Sequence, residues 1–330
     1  MWYNLRTYGL CVCLTLCLWA QAHELGEGAR ISLLTCTPGE ALYERYGHTA
    51  LRIYDPETDL DIIFNYGIFD FEVDHFYWKF VKGETWYELG MSSTARFVYS
   101  YEREHRPVYE QVLQLTPNQR NAIVAALVNN YRPENRKYLY NFVFDNCATR
   151  PYVLITNALR DSIRSDYSGY TGQTYRSFIR HYTGGLTWSN AGINLLFGPR
   201  ADRPMNSDER LFLPEELMYY LQSAHLSDGT PLVRESTIGS FEIASTPWYA
   251  SWPLGWVLYL LTVILISLYD RKRQRWSWWL EVVVAVPYVL LLLVVTFLTF
   301  FSCHPLVGFG WRLLIIPLTH LCGRLIYIVR

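Results

Sequence analysis

The sequence predicts an exported α+β domain that is followed by a transmembrane helical domain. Three features indicate this class: an apolar segment at the start, strand-like runs followed by helix signals in the middle, and long apolar stretches after about residue 250. Hydrophobic residues make up 51% of the chain and aromatic residues 16%, which is high for a soluble domain. The 29 basic and 30 acidic side chains are balanced, so no nucleic-acid surface is indicated.

Residues 1–22 have the pattern of a secretory signal peptide. Arg6 supplies a positive charge, an apolar stretch runs over Leu10–Ala20, and Ala20-Gln21-Ala22 forms a small-residue cleavage site. The apolar stretch is short for a membrane span, so cleavage after Ala22 is expected. An uncleaved anchor is the alternative, and both place residue 23 onward outside the cytoplasm.

The first half of the exported domain, residues 23–247, has the composition of strands. Five runs are rich in β-branched and aromatic residues: Ile31–Thr37, His48–Tyr54, Leu60–Tyr66, Phe76–Val81 and Lys137–Val143. Side chains alternate between the two faces of a strand. In the second run this places on one face His48, Ala50, Arg52 and Tyr54.

Three helices are predicted in the same domain. Thr116, Pro117 and Gln119 form a capping box with proline at the first helical position, so a helix should run from there to about Tyr131. Two more are expected at 147–159 and, behind a proline, at 214–224.

Residues 248–330 are expected to form the membrane domain, with apolar stretches at 252–269, 280–301 and 305–329. The third is broken by Arg312, His320 and Arg324, and it either spans the bilayer or re-enters it. The basic loop Arg271–Arg275 should lie in the cytoplasm, because positive charge is retained there. The loop around His304 then emerges on the side of the exported domain.

Four cysteines follow the signal peptide, and only Cys36 and Cys147 belong to the exported domain. Two cysteines do not make a disulfide framework, although a single bridge between them is an open alternative.

Cys147 lies in NFVFDNCATRP, where an apolar run ends and a helix begins. A helix N-terminus lowers the pKa of a thiol, and a thiolate is the better nucleophile. Backbone N–H groups at the same helix end can also bind an oxyanion. Asp145 and Asn146 are alternative caps for this helix.

A cysteine nucleophile needs a base, and His48 at the start of its strand is the candidate. Gly47 before it leaves room for close approach. A histidine that closes a surface turn is the alternative role. The other histidines of the exported domain lie in less ordered and more polar surroundings: His75, His105, His181 and His225.

A histidine at a strand start, about a hundred residues before an Asn-Cys at a helix start, resembles the permuted papain-like fold. The LRAT-type acyltransferases and the permuted NlpC-type hydrolases have this order on an antiparallel sheet. More closely, the chain resembles the Lnb-type lipoprotein N-acyltransferases through YGHTALRIYD, FNYGIFDF, FYWKFVKGE, YNFVFDNCATRP, LLFGPRAD, LFLPEEL and SCHPLVG. The resemblance covers nearly the whole chain after residue 30.

The resemblance implies that Cys147 is the nucleophile and His48 its base. A third polar residue then orients the histidine, and Asn65 is the candidate, with a turn-forming role as its alternative.

Three further residues are assigned to substrate binding. Arg150 would hold a lipid phosphate, or would be a solvated side chain of the first helical turn. Tyr46 would donate to an oxyanion or simply pack. His304 would be a functional loop residue or an interface residue.

The implied reaction moves an acyl chain from a membrane phospholipid, through a Cys147 thioester, to the N-terminal amine of a diacylglyceryl-cysteine lipoprotein. The expected location is the bacterial inner membrane with the catalytic domain in the periplasm, and no cofactor or metal is expected. A periplasmic NlpC-type cysteine peptidase or amidase acting on cell-wall peptides is one alternative. A non-enzymatic membrane assembly factor with a Cys36–Cys147 bridge is the other.

Overall fold

The computed structural model of the protein describes residues 25–69, 74–160, 163–167, 173–184, 187–242 and 247–328. The predicted signal peptide therefore lies outside the described residues. The chain forms two compact units. The first comprises Met1–Lys79, Glu84–Thr171 and Asn206–Glu242, and the second Phe80–Gly83, Gly172–Met205 and Ile243–Arg330.

The first unit is built on an antiparallel sheet. The strands in chain order are β1 Arg30–Cys36, β2 His48–Asp55, β3 Leu60–Ile68, β4 Trp86–Ser93, β5 Val108–Leu113, β6 Lys137–Leu139, β7 Arg164–Ser165, β8 Ala224–His225 and β9 Val233–Thr237. Seven of them form one sheet in the order β6-β4-β3-β2-β1-β5-β9, and β7 pairs with β8. Every pairing is antiparallel.

The α-helices in chain order are α1 Phe76–Lys82, α2 Thr94–Glu102, α3 Pro117–Tyr131, α4 Thr149–Leu159, α5 Tyr175–Tyr182, α6 Trp188–Leu196, α7 Pro214–Gln222, α8 Trp252–Arg273, α9 Trp278–Phe301 and α10 Ile315–Ile328. Short 3-10 helices cover Leu42–Glu44, Pro199–Asp202, Asp208–Phe212, Trp248–Ala250 and Trp311–Leu314. The predicted α+β class with an antiparallel sheet is thereby confirmed.

Both faces of the sheet are covered by helices. One face, with Leu33, Leu51 and Phe64, packs against buried side chains of α3, α4 and α7. The other face, with Leu34, Ala50 and Ile63, packs against Phe97 of α2. Because successive side chains of a strand alternate between faces, His48 and Asn65 project to the same side as Ala50 and Ile63.

The helix predicted from its capping box has the expected start. The hydroxyl of Thr116 accepts from the Gln119 N–H, and the Gln119 side chain accepts from the Thr116 N–H at 2.9 Å. Two of the helix's first free N–H groups are thus provided with acceptors near its N-terminus.

The predicted strand at Phe76–Val81 is wrong, because this segment forms α1. The aromatic and β-branched residues of FYWKFVK favour a strand by propensity, yet the Lys79 N–H donates to the His75 carbonyl in the helical pattern. Gly83 follows the last helical residue with φ of +71°, the left-handed conformation that commonly ends a helix. A glycine after the run was the overlooked signal.

The predicted strand at 137–143 is shorter than expected and ends at Leu139. Asn141 and Asp145 exchange backbone hydrogen bonds at 3.0 Å in both directions. The Asn141 side chain also accepts from the N–H groups of Val143 and Phe144. An asparagine that satisfies the backbone two residues on favours a turn over a continuing strand.

In the second unit, α8 and α9 are the two described helices that are long and apolar enough to cross a membrane. They match the first two predicted stretches. The third stretch forms the 3-10 helix Trp311–Leu314 and the 14-residue α10. By helix rise alone α10 is about 21 Å long, which is shorter than a hydrocarbon core of roughly 30 Å.

A buried polar network joins α8, α9 and α10. The guanidinium of Arg324, which is 1% exposed, contacts Asp270 at 2.8 Å and Glu281 at 2.8 Å. The other Glu281 oxygen contacts His320, whose second ring nitrogen lies 3.0 Å from the Tyr259 hydroxyl. Two of the polar residues that interrupt the third apolar stretch, His320 and Arg324, therefore both pair with Glu281 of α9. Buried charges require such partners.

Candidate active site

Cys147 lies between the Asn141 turn and α4, and the side chain of Asn146 fixes its position. The Asn146 Oδ1 accepts from the N–H groups of Ala148 and Thr149 at 2.8 and 2.9 Å. Its Nδ2 donates to the carbonyls of Phe142 and Phe212. Of the two residues that the sequence offered as caps, Asn146 is the one that accepts from N–H groups at the start of α4, although the N-cap residue itself is Ala148.

His48 and Asn65 lie on neighbouring strands and are hydrogen-bonded. The His48 Nε2 lies 2.5 Å from the Asn65 Oδ1. Since that oxygen is an acceptor, Nε2 carries the proton, and Nδ1 is left as the basic nitrogen. The residues predicted as base and orienting group are thus in direct contact.

Gly67 on β3 lies between the histidine and the cysteine. An ideal Cβ placed on Gly67 would lie 3.8 Å from the Cys147 Cβ and 3.8 Å from the His48 Cε1. Those two atoms are therefore at most twice that distance apart. Gly67 has φ of +98°, a conformation that favours glycine. Sequence reasoning missed this residue, although a glycine inside a strand signals a bulge or a close approach.

The start of the strand that carries the histidine also acts on the sulfur of Cys147. The backbone N–H groups of Thr49 and of Cys147 itself lower the pKa of the thiol. Thr49 is the residue after His48, so the sulfur is held beside the first residues of β2. Gly47 precedes them with φ of +72°, and a Cβ there would lie 2.6 Å from the Cys36 carbonyl oxygen. As predicted, position 47 has a close neighbour that a side chain would clash with, but that neighbour is the backbone of β1.

Both groups of the candidate pair are neutral near pH 7. Burial raises the pKa of the Cys147 thiol to about 11, although its two backbone hydrogen bonds lower it. Burial lowers the pKa of His48 to about 4, although the hydrogen bond that His48 donates to Asn65 raises it, and the charge of Arg106 lowers it further. The predicted lowering of the Cys147 pKa is therefore wrong for the resting site. The first N–H groups of α4 already donate to Asn146, and desolvation penalises the thiolate.

Three tyrosines form an aromatic wall that sequence reasoning missed: Tyr87, Tyr138 and Tyr140. The rings of Tyr87 and Tyr140 stack with centroids 4.2 Å apart, and Tyr140 reaches within 4.0 Å of the Gly67 Cβ position. Tyr138 is 5% exposed, and among the described residues its hydroxyl has no hydrogen-bond partner. The tyrosine-rich run just before the Asn-Cys motif was the available signal.

Arg150 is engaged within the protein. Its Nε and Nη2 contact the Asp145 carboxylate at 2.5 and 2.7 Å, and its Cζ lies 3.6 Å from the centre of the Tyr138 ring. Two of its three guanidinium nitrogens are thereby used. Phosphate binding by Arg150 stays a prediction, and the pair with Asp145 gives it a structural role that the sequence did not indicate.

The remaining predicted residues have other surroundings. The ring of Tyr46 packs edge-on against Phe142 with centroids 4.6 Å apart, which is the packing alternative. His304 belongs to the second unit, where its Nε2 lies 2.9 Å from the Phe80 carbonyl oxygen. Substrate binding by either residue is untested by these contacts.

Cys36 pairs with His48 in the register of β1 and β2. It and Cys147 are both free thiols, so the alternative of a bridge between them is not present in the structure. Burial raises the pKa of Cys36 to about 12, against a hydrogen bond from Tyr101. Cys36 is fully buried, whereas Cys147 is 8% exposed, and Cys147 is the better placed to reach a substrate.

Among the described residues, no group of three or more His, Cys, Asp and Glu side chains is arranged to hold a metal ion. The chemistry that these side chains can support is proton transfer by an oriented imidazole and nucleophilic attack by a thiol.

Comparison with known protein families supports the motifs quoted above. The family described as the Lnb N-terminal periplasmic domain matches residues 19–181, and the one described as the Lnb transmembrane domain matches residues 244–330. No curated protein and no solved structure matches the chain. The first match contains His48, Asn65 and Cys147, and the second contains both long apolar helices. The chain therefore belongs to the Lnb family, as a membrane protein with a periplasmic domain and a role in lipoprotein maturation.

Proposed function

We propose that this protein is a lipoprotein N-acyltransferase of the bacterial inner membrane that carries the acyl chain on Cys147. The observation that supports this most is the contact between the His48 Nε2 and the Asn65 Oδ1, with atoms of both His48 and Cys147 lying 3.8 Å from the Cβ position of Gly67. Cys147 is the nucleophile, His48 the base, and Asn65 the residue that orients the imidazole.

In the first step, the Cys147 sulfur attacks the ester carbonyl carbon of a phospholipid while the His48 Nδ1 takes the thiol proton. Because both groups start neutral, proton transfer accompanies the attack, which is general base catalysis. The Cys147 N–H, which lies beside the sulfur, is the backbone donor for the oxyanion. The carbon–oxygen bond then breaks, the lysophospholipid oxygen takes the proton from His48, and an acyl thioester remains.

In the second step, the α-amino group of a diacylglyceryl-cysteine lipoprotein attacks the thioester carbonyl. His48 accepts a proton from the amine and returns it to the departing sulfur as the carbon–sulfur bond breaks. The products are an N-acylated lipoprotein and the free thiol. No redox partner is needed, because one ester bond is exchanged for one amide bond.

The membrane helices favour a lipid substrate over a cell-wall peptide. Transfer of a fatty chain into water costs about 0.8 kcal/mol per methylene, which is on the order of 20 kcal/mol for two chains of roughly 15 methylenes each. An enzyme anchored by α8 and α9 does not have to meet that cost. An enzyme that binds soluble peptides would gain nothing from two apolar helices that are mostly exposed. In each helix only 11% of the apolar 18-residue stretch is buried.

The test uses the full chain in nanodiscs that contain phospholipid with a radiolabelled acyl chain. Label should become attached to the protein, be released by hydroxylamine, and be absent from Cys147→Ala. Cys303→Ser, which removes an exposed thiol, is the matched control and should retain the label. Added diacylglyceryl-cysteine peptide should then receive the chain on its amine.

Two results would contradict the proposal. The first is label on Cys147→Ala at the level of the native chain. The second is cleavage of cell-wall peptides with no transfer of acyl label, which would support the peptidase alternative.

A further inference from the structure

Helix α1 presents an aromatic surface. Of its seven residues only Phe76 is buried, while Tyr77 is 77% exposed and Trp78 is 56% exposed. Phe80 and Val81 are exposed as well. Soluble surfaces rarely carry so many adjacent large apolar side chains without a binding role. Tryptophan, tyrosine and lysine on one short helix are typical of the membrane–water interface.

The C-terminal end of α1 is bound to the loop that follows α9, within the second unit. The Cys303 N–H donates to the Lys82 carbonyl at 2.8 Å, and His304 lies 2.9 Å from the Phe80 carbonyl oxygen. A Cβ on Gly83 would lie 3.3 Å from the Cys303 carbonyl carbon. These contacts leave little freedom between the end of α1 and residues 303–304.

That loop begins where an apolar helix ends. α9 finishes at Phe301, and the side chains of Phe300 and Phe301 are exposed, as expected for residues that face lipid. A helix of this length and composition reaches the boundary of the hydrocarbon core at its end. Cys303 is two residues further along, so it lies at the bilayer surface, and its hydrogen bond brings the Lys82 end of α1 to the same level.

We propose that α1 is an interfacial helix whose exposed aromatic side chains insert into the phospholipid surface of the bilayer. The partner is the phospholipid layer rather than a protein. α1 is held to a loop at the end of a membrane-spanning helix, and a protein partner would have to displace the lipid found at that level. His304, whose role was open between function and interface, acts here by fixing α1 to the loop.

The proposal also suggests how an acyl chain reaches the site, a step that rests on the proposed function. A series of aromatic rings connects α1 with Tyr140. The distances between ring centroids are 6.1 Å for Phe76–Phe69, 5.0 Å for Phe69–Tyr87 and 4.2 Å for Tyr87–Tyr140. Tyr140 lies 4.0 Å from the Cβ position of Gly67, which is also 3.8 Å from atoms of His48 and Cys147. These rings form a series of aromatic contacts from α1 to the neighbourhood of Gly67, along which an acyl chain taken up at α1 would move toward the sulfur.

Photocross-linking tests the insertion directly. Benzoylphenylalanine replaces Trp78 in one variant and Tyr99 in the other. Tyr99 is a comparably exposed aromatic residue, at 61%, on α2. Both variants carry Cys147→Ala and are placed in nanodiscs of phosphatidylethanolamine and phosphatidylglycerol, so the readout is independent of acyl transfer. Light should attach phospholipid at position 78 and not at position 99.

The proposal is overturned by absence of a lipid adduct at position 78, by equal adducts at both positions, or by cross-links at 78 to protein alone. A second measurement tests chain access. Trp78→Ser should reduce acyl transfer from bilayer phospholipid while leaving transfer from a short-chain, water-soluble ester unchanged. Equal loss with both donors would exclude the access role. Absence of transfer in the native chain would instead refute the proposed function, with the cross-linking result unaffected.

Discussion

The protonation state of Cys147 can be tested by its rate of alkylation as the pH is raised. Only the thiolate reacts with iodoacetamide. With a pKa of about 11, against an ordinary value of 9.0, about one molecule in 10,000 carries the thiolate at pH 7, against about one in 100 for an unperturbed thiol. Cys147 should therefore react about 100-fold more slowly than an ordinary thiol, and its rate should rise about tenfold per pH unit up to at least pH 9.5.

The measurement is mass spectrometry of the peptide that contains Cys147, after timed alkylation of the full chain in nanodiscs. Restricted access to the buried sulfur lowers the absolute rate, but it does not change the slope with pH. His48→Gln should leave that slope unchanged, because the neutral imidazole does not stabilise a thiolate in the resting site. A rate that levels off below about pH 8, with the plateau removed by His48→Gln, would show a preformed thiolate–imidazolium pair and refute the general-base step.

Three substitutions give further expected outcomes. Asn65→Ala should slow acylation of Cys147 by about tenfold or more, because an unoriented imidazole loses part of its effect as a base, while the melting temperature is little changed; an unchanged rate would remove Asn65 from the site. Gly67→Ala should destabilise the protein by about 1–3 kcal/mol, since φ of +98° is strained for any residue with a side chain, and denaturant unfolding that matches the native chain would contradict this. Arg324→Leu should cost about 3–5 kcal/mol, because it leaves the carboxylates of Asp270 and Glu281 without their shared cation, and an unaltered thermal transition in detergent would show that the network contributes little.

The sequence was most informative where a short-range pattern decides the structure. The Thr116 capping box predicts the start of α3 because both of its hydrogen bonds form within four residues. The alternation in β2 predicts that Leu51 and Ile53 share a face, and both are in the main core. Local signals, a glycine before His48 and a helix start near Cys147, made these two residues candidates, and the family resemblance implied their roles and added Asn65.

Long-range packing explains what the sequence did not predict. α1 has the composition of a strand, and its helical form is associated with Gly83 and with hydrogen bonds to residues more than 200 positions away. Strands β4, β5 and β9 of the main sheet and helices α2, α5 and α6 were not predicted. The pKa of Cys147 depends on desolvation and on whether Asn146 uses the helix N–H groups first. No local sequence pattern predicts which of these two effects determines the pKa.

A neutral, buried thiol suits an acyl carrier in an exported domain better than a resting thiolate does. Oxidation of cysteine proceeds through the thiolate, and an oxidising compartment promotes disulfides, so a pKa raised by burial protects Cys147 between turnovers. In the mechanism proposed above, the same burial acts again once an acyl chain is attached to the sulfur. The segments that desolvate the sulfur would also restrict the approach of water to the proposed thioester, while an amine on a bound lipoprotein would be held next to it. The burial that raises the pKa of the resting thiol is therefore compatible with selectivity in the second step. In that step, attack by the amine must be faster than hydrolysis of the thioester.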